Sequence, residues 1–345
     1  MLIRTFLSSI VLTVVALVAA LWLGGPTALL LTAVLIVLEV SLSFDNAVIN
    51  AGVLQRMSRF WQRIFLTVGV AIAVFGMRLV FPILLVTFTT GLGPVETFQL
   101  ALDKPEDYRV ALEAAHPSIA AFGGVFLLMI FLDFVFEERD LRWLGPVESL
   151  LAKAGRIGHA SVVVTLGALL VVAETLAEHP LTVISAGVIG VVVYLVVKGL
   201  GDFFETVGGG TAVQAVGRAA FFLFLYLEVL DASFSFDGVV GAFAVTQNIF
   251  IIAAGLGVGA MFVRSITVYL VNRGTLAEYV FLEHGAHWAV GALGAILLLT
   301  VKFHINEVFT GFIGLCFIVA ALLSSIARNR RTVAGGPDPA LIEVR

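Results

Sequence analysis

Two stretches of the chain carry the same polar pattern inside apolar surroundings. One reads Glu39-Val-Ser41-Leu-Ser43-Phe44-Asp45-Asn46; the other reads Asp231-Ala-Ser233-Phe-Ser235-Phe236-Asp237-Gly238. The shared string is acid-x-Ser-x-Ser-Phe-Asp. Each copy offers two carboxylates and two hydroxyls, and Asn46 adds an amide oxygen to the first. An all-oxygen inventory suits hard divalent cations such as Mn²⁺, Mg²⁺ or Ca²⁺. Zinc or copper would usually bring His or Cys, and neither copy holds one. A desolvated carboxylate also takes up protons readily. The expected ligands are therefore Asp45, Asp237, Glu39, Asp231, Asn46, Ser43 and Ser235, with Glu228 an additional acid on the second stretch. Within each copy the acids stand six residues apart, which on a straight helix is about 240° of turn. The pair cannot face one way unless the helix breaks, and Ser and Asp favour a break near the serines. A broken helix would also release backbone carbonyls as ligands.

The elements that hold these residues follow from composition. The chain has 345 residues, 60% hydrophobic and 13% charged, with mean hydropathy +1.08. Soluble domains carry roughly 45–50% apolar and about 25% charged residues. A soluble enzyme, a nucleic-acid binder and a disordered chain are thereby excluded, and a net charge of −4 offers no polycation for phosphates. Cys316 is the only cysteine, so there is no disulfide framework. A membrane helix needs about 20 mostly apolar residues. Ten stretches qualify: 6–23, 28–52, 64–89, 118–136, 161–178, 181–199, 219–243, 249–271, 286–302 and 307–327. The first resembles a signal peptide, with Arg4 before an apolar run and Ala19-Ala20 after it. It is read as a span because the charge distribution needs it. With both termini inside, fifteen of the twenty Lys and Arg fall in cytoplasmic segments. Only Lys104, Arg109 and Lys302 fall outside, and Arg78 and Arg264 lie within spans.

The fold class expected is all-α, a polytopic membrane protein of about ten transmembrane helices in two inverted-topology repeats. Beyond the polar motif, Gly69 precedes Arg78 by nine residues, and Gly255 precedes Arg264 by the same nine. His116 and His287 each precede a glycine by seven, Gly123 and Gly294. The motif-bearing spans are the second and seventh, so the copies cross in opposite senses. Inverted repeats of this kind are typical of secondary transporters, with substrate near the midplane. The first repeat is placed at 1–178, the second at 179–331 and a disordered cytoplasmic tail at 332–345. An outer loop, 91–117, is expected to be solvated, and a cytoplasmic amphipathic segment, 141–157, to lie on the membrane surface. Arg78 and Arg264 are the expected charge partners of the intramembrane acids. Asp133 and Glu174 are read as interface acids, and Lys302 as a snorkelling base.

Two decoys are weak. Gly199-Leu200-Gly201-Asp202 resembles the G-x-G-D element of intramembrane aspartyl proteases, but its Pro339-Ala340-Leu341 companion lies in the polar tail. The glycine run 208–210 has no Gly-Lys-Ser/Thr after it, as a phosphate loop requires.

At Glu39, Ser43, Asp45 and Asn46 the sequence resembles the TerC family of bacterial membrane proteins. It is most similar to the branch of conserved integral membrane proteins of unknown function within the LysE-like transporter superfamily. Asp231, Ser235 and Asp237 match the related element of the second half, where Gly238 stands in place of the family's Asn. The resemblance implies a bacterial membrane protein that exports manganese or a related metal; the repeats and carboxylates lead to the expectation of alternating access in the plasma membrane, with no enzyme chemistry. The same carboxylates would take up protons as coupling ions. The expected partners are the lipid bilayer, the metal and protons, with no nucleic acid. A non-transporting membrane protein that supplies metal to partner proteins is the alternative, and an intramembrane aspartyl protease the more distant one.

Overall fold

A computed structural model describes residues 2–207, 215–305 and 307–333. It is helical, and among the described residues no strand forms, only an isolated bridge between Met57 and Ala215. The tail from residue 334 onward and the glycine run 208–210 lie outside the described residues, and with them Pro339-Ala340-Leu341. The side chains of Asp202 and Asp237 lie outside them too. Among the described residues seven helices are long and apolar enough to cross a membrane, or eight if one bent pair forms a single span.

The first helix, α1 (Leu2–Leu42), is broken at Gly25, whose φ of 72° and ψ of −167° are open only to glycine; Pro26 follows. Its two arms pack on the same partner, α11 (Ile249–Arg273). Ser9 hydrogen-bonds Ser265 at 2.7 Å and the Met261 carbonyl at 3.1 Å. Glu39 lies against Gly259, and Leu35 against Gly255. Thirty residues of straight helix would span about 45 Å. Ser9 and Glu39 nevertheless reach neighbouring turns of α11, so the chain doubles back at Gly25. The break falls where Gly24-Gly25-Pro26 separates the first two expected spans.

After α1 come α2 (Phe44–Gln55) and α3 (Arg59–Ile64). The chain then winds as π-helix over Phe65–Gly69 and Ile72–Val80 before α4 (Phe81–Thr90). Such long π-helical runs are rare, and shorter ones concentrate at functional sites. Next are α5 (Pro94–Asp103) and α6 (Pro105–Phe136). The expected outer loop 91–117 is therefore corrected: most of it is helix. Each start is written locally. Pro94 and Pro105 open the helices, Glu96 accepts the Gly93 N–H at 3.2 Å, and Glu106 and Asp107 lie in the first turn of α6. Of the five acids in this segment, Glu96, Glu106 and Asp107 lie at helix starts, while Asp103 ends α5 and Glu113 pairs with Arg109 one turn away.

The amphipathic segment forms α7 (Gly145–Gly155), bent 97° from α8 (Ala160–Leu176). Its Leu150 and Val147 are exposed, while Glu148 is buried and accepts from the Trp143 N–H at 3.0 Å and from Trp288 Nε1 at 3.1 Å, with His284 Nδ1 also at 3.1 Å. The rest of the bundle is α9 (Pro180–Val207), α10 (Gly217–Val245), α11, a short α12 (Thr275–Glu278), α13 (Leu282–Thr300) and α14 (Glu307–Val333). The Asn248 side chain caps α11 by accepting from the Phe250 and Ile251 amides. Helices α6 and α13 cross where Gly124 meets the Gly294 carbonyl, and a Cβ on either would lie 3.0 Å from backbone.

Replacing Gly25 by Ala puts a side chain into a backbone region that only glycine enters freely, at a cost of about 1–3 kcal/mol. Thermal unfolding of the detergent-solubilised variant should shift down accordingly; an unchanged transition would mean that the arms do not turn through this conformation.

Candidate functional site

The polar motifs sit where α1, α2 and α10 meet the π-helical segment and α11. The expected break is present in the first copy only. Ser43 separates α1 from α2 with φ −102° and ψ 18°, whereas α10 runs unbroken through its own serines. Ser43 keeps helical hydrogen bonds on both sides, from its amide to Glu39 and from Ala47 to its carbonyl. The break is thus a local irregularity and not an unwound stretch.

Asp231 is the hub. Its Oδ2 accepts from Arg78 Nη1 at 3.2 Å and lies 3.7 Å from Arg264 Nη2; its Oδ1 accepts from the Asn46 amide at 2.9 Å. Arg78 Nη2 donates to Glu39 at 2.5 Å, and Arg264 Nη2 to both oxygens of Glu228 at 3.2 Å. Arg78 Nη1 also donates to the Ala73 carbonyl within the π-helical segment, and Arg264 Nη1 to the Phe65 carbonyl. The Glu228–Arg264 pair lies against the bare Cα of Gly69, where any Cβ would collide with it. Arg78 thus pairs with Glu39 and Asp231, and Arg264 with Glu228 and Asp231.

Asp45 is different. It is 6% exposed, and its carboxylate accepts the Asn46 N–H at 2.9 Å. Among the described residues no basic side chain pairs with it. It borders a cavity of about 40 Å³ whose wall also includes Glu39, Ser43, Ser233 and Gly238, with Thr310, Gly311 and Gly314 of α14. A water needs about 10–15 Å³ in this measure, so the space holds a few water-sized occupants. Gly314 faces Asp45 so closely that a Cβ would lie 3.3 Å from its Oδ2.

The four acids Glu39, Asp45, Glu228 and Asp231 stand against two bases, Arg78 and Arg264, and none of the six is more than 6% exposed. That leaves two negative charges in excess among the described side chains. An uncompensated buried charge costs several kcal/mol, so protons or a cation must balance them.

The structure gathers Glu39, Ser43, Asp45, Asn46, Asp231 and Ser235 within this region. Two expected ligands have other work: Asp231 is occupied by arginines and Asn46, and the Ser235 hydroxyl bonds the Asp231 carbonyl of its own helix at 2.5 Å. Among the described residues no group of three or more His, Cys, Asp or Glu assembles as a metal cage. Sequence reading missed Thr310, Gly311 and Gly314; the small-residue spacing at 311 and 314 was the available signal. It also missed Asn50, one turn after Asn46, whose Oδ1 is buried and, like that of Asn46, has no donor among the described residues. Asp133 pairs instead with Lys198 and with the Tyr194 hydroxyl at 2.6 Å, as an interface acid would.

Apolar helices of spanning length around a buried ionic centre define a multi-pass membrane protein. The family model described as "Protein of unknown function (DUF475)" matches residues 44–332, and the chain belongs to that family. The matched region starts within the first polar motif and includes all of the second. No curated protein and no solved structure matches the chain.

Substituting Arg78 by Ala strips the partner from Glu39 and one of the partners from Asp231. Breaking a buried pair in this way costs about 3–5 kcal/mol. The variant should unfold at markedly lower temperature in detergent, with Arg78→Lys intermediate because it keeps the charge and loses the fork. Equal melting of all three proteins would show that the network adds nothing to stability.

Proposed function

We propose that the protein is a transmembrane divalent-cation transporter of the manganese-exporting kind, working by alternating access in a bacterial plasma membrane. The observation that carries this reading is Asp45, a buried carboxylate without a basic partner among the described residues, opening on a small cavity that Glu39 and Ser43 also line. The cation is the substrate. Asp45, Glu39 and Ser43 hold it, with Asp237 and Asn46 nearby in sequence register and Thr310 from α14. Asp231 serves as the arginine anchor. The excess of two negative charges matches one divalent cation or two protons, which favours proton-coupled exchange through the same carboxylates. Export and manganese rest on the resemblance to the TerC family.

An inverted-repeat architecture of ten spans, 1–178 and 179–331, has support in paired contacts. Asn46 bonds Asp231, and its counterpart Gly238 lies against Glu39, where a Cβ would be 3.2 Å from Oε2. Gly69 packs on Glu228 of α10, and its counterpart Gly255 packs on Leu35 of α1. A pseudo-two-fold relation between the halves predicts such swapped partners. Counting the two arms of the doubled-back α1 as separate spans would keep both termini on the side of the basic residues, as this reading requires.

In proteoliposomes, Mn²⁺ flux should fall at least tenfold for Asp45→Asn while the protein remains folded by size-exclusion profile. Flux equal to wild type in both Asp45→Asn and Asp237→Asn would overturn the transport reading.

A further inference from the structure

At the end of the bundle where α6 begins, a vestibule of about 1040 Å³ opens between α6, α8, α9, α10, α13 and α14. Its wall carries Glu113, His116, Glu178, His179, His304 and Thr310. Thr310 also lines the 40 Å³ cavity beside Asp45. On α10 the continuity repeats: Gly238 borders the cavity and Gly241, one turn on, borders the vestibule. The two spaces therefore abut with one half-buried side chain shared between them.

The other end differs. A second vestibule of about 590 Å³ lies where α6 finishes, lined by Asp133, Tyr226, Lys198 and His287 among others. It shares no lining residue with the cavity. Three helices place apolar side chains between the two. On α10, Leu227 and Leu230 lie between Tyr226 and Ser233; on α13, Val290 lies between His287 and Leu293; on α6, Phe126 lies one turn above Ile130. All four are fully buried in one core cluster. These four side chains offer a crossing cation no oxygen in exchange for its hydration, whereas on α2 the buried Asn46 and Asn50 lie between Asp45 and Val53 of that vestibule.

We infer that Thr310 is the gate between the cation cavity and the vestibule at the start of α6, and that the described conformation is open toward that vestibule and sealed by the Phe126–Leu227–Leu230–Val290 layer at the other end. Thr310 suits the role. Its hydroxyl offers an oxygen to a passing cation, and the flanking Gly311 and Gly314 let α14 approach Asp45 and shift without side-chain obstruction. The charge distribution places this vestibule outside, since Arg139, Arg142, Lys153 and Arg156 follow the opposite end of α6. The role of the cation rests on the proposed function; the sidedness of access does not.

The single native cysteine makes the test direct. In a Cys316→Ser background, Thr310→Cys is treated with a membrane-impermeant charged thiol reagent in right-side-out and inside-out vesicles. Ser118→Cys serves as a vestibule control and Ser161→Cys as a control at the opposite end. Thr310→Cys should react from the same side as Ser118→Cys, more slowly, and Mn²⁺ should slow it at least fivefold without affecting Ser118→Cys. Reaction only from the Ser161 side, or none while Ser118→Cys reacts fully, would overturn the gate. Reaction from the Ser118 side with no Mn²⁺ protection would uphold the access path and count against the cation reading alone. If Thr310→Cys does not fold, Gly311→Cys reports on the same wall.

Discussion

The two arginines that share Asp231 hold the protein together at its most expensive point. Arg78 comes from the π-helical segment and Arg264 from α11, and Asp231 on α10 lies between them. Neither guanidinium would persist in an apolar interior alone, and neither would the carboxylate. Because each charge is tolerable only beside the others, the helices that carry them must meet at one depth. Glu39 and Glu228 attach on either side, which brings α1 into the same ionic belt. The apolar packing around the belt is permissive by comparison, since lipid tails are as apolar as Leu and give little reason for one pairing over another.

Close approach is what lets a charge network sit so deep. Gly69 makes room for the Glu228–Arg264 pair, Gly259 for the stem of Glu39, and Gly314 for Asp45. The glycines bring no charge or ligand atom of their own to the side of these carboxylates. They remove the bulk that would otherwise push the carboxylates apart, and so set how small the cavity is. The π-helical winding around Arg78 belongs to the same economy of space, because it turns that side chain inward and ties it to the Ala73 carbonyl.

Much of the polar centre was legible in the sequence because intramembrane charge is rare enough to be conspicuous. Glu39, Asp231, Arg78 and Arg264 could be picked out and paired by the cost of leaving them alone. What could not be read was the division of labour. Spacing shows Glu39 and Asp231 as equivalents, yet Asp231 takes both arginines and Glu39 takes one while also bordering the cavity. That asymmetry arises from three-dimensional neighbours, chiefly Asn46 and its counterpart Gly238. The contribution of α14 was faint for a different reason: the small-residue spacing at Gly311 and Gly314 was its one signal, and such spacing is ordinary in a membrane helix and acquires meaning only through what it faces. The helical character of 91–117 was written in Pro94, Glu96 and Pro105 but was masked by the acids.

The doubled-back α1 has a bearing on assembly. Its first arm is fastened to α11 through Ser9 and Ser265, residues separated by 256 positions in the chain. During synthesis the N-terminal hairpin enters the bilayer long before its partner exists. Glu39 must wait for Arg78, and both must wait for Asp231, while the surface meant for α11 is covered only by lipid. The hairpin has to remain upright on its own turn at Gly25 throughout that interval. The last half of the chain thus completes an electrostatic circuit that the first half leaves open.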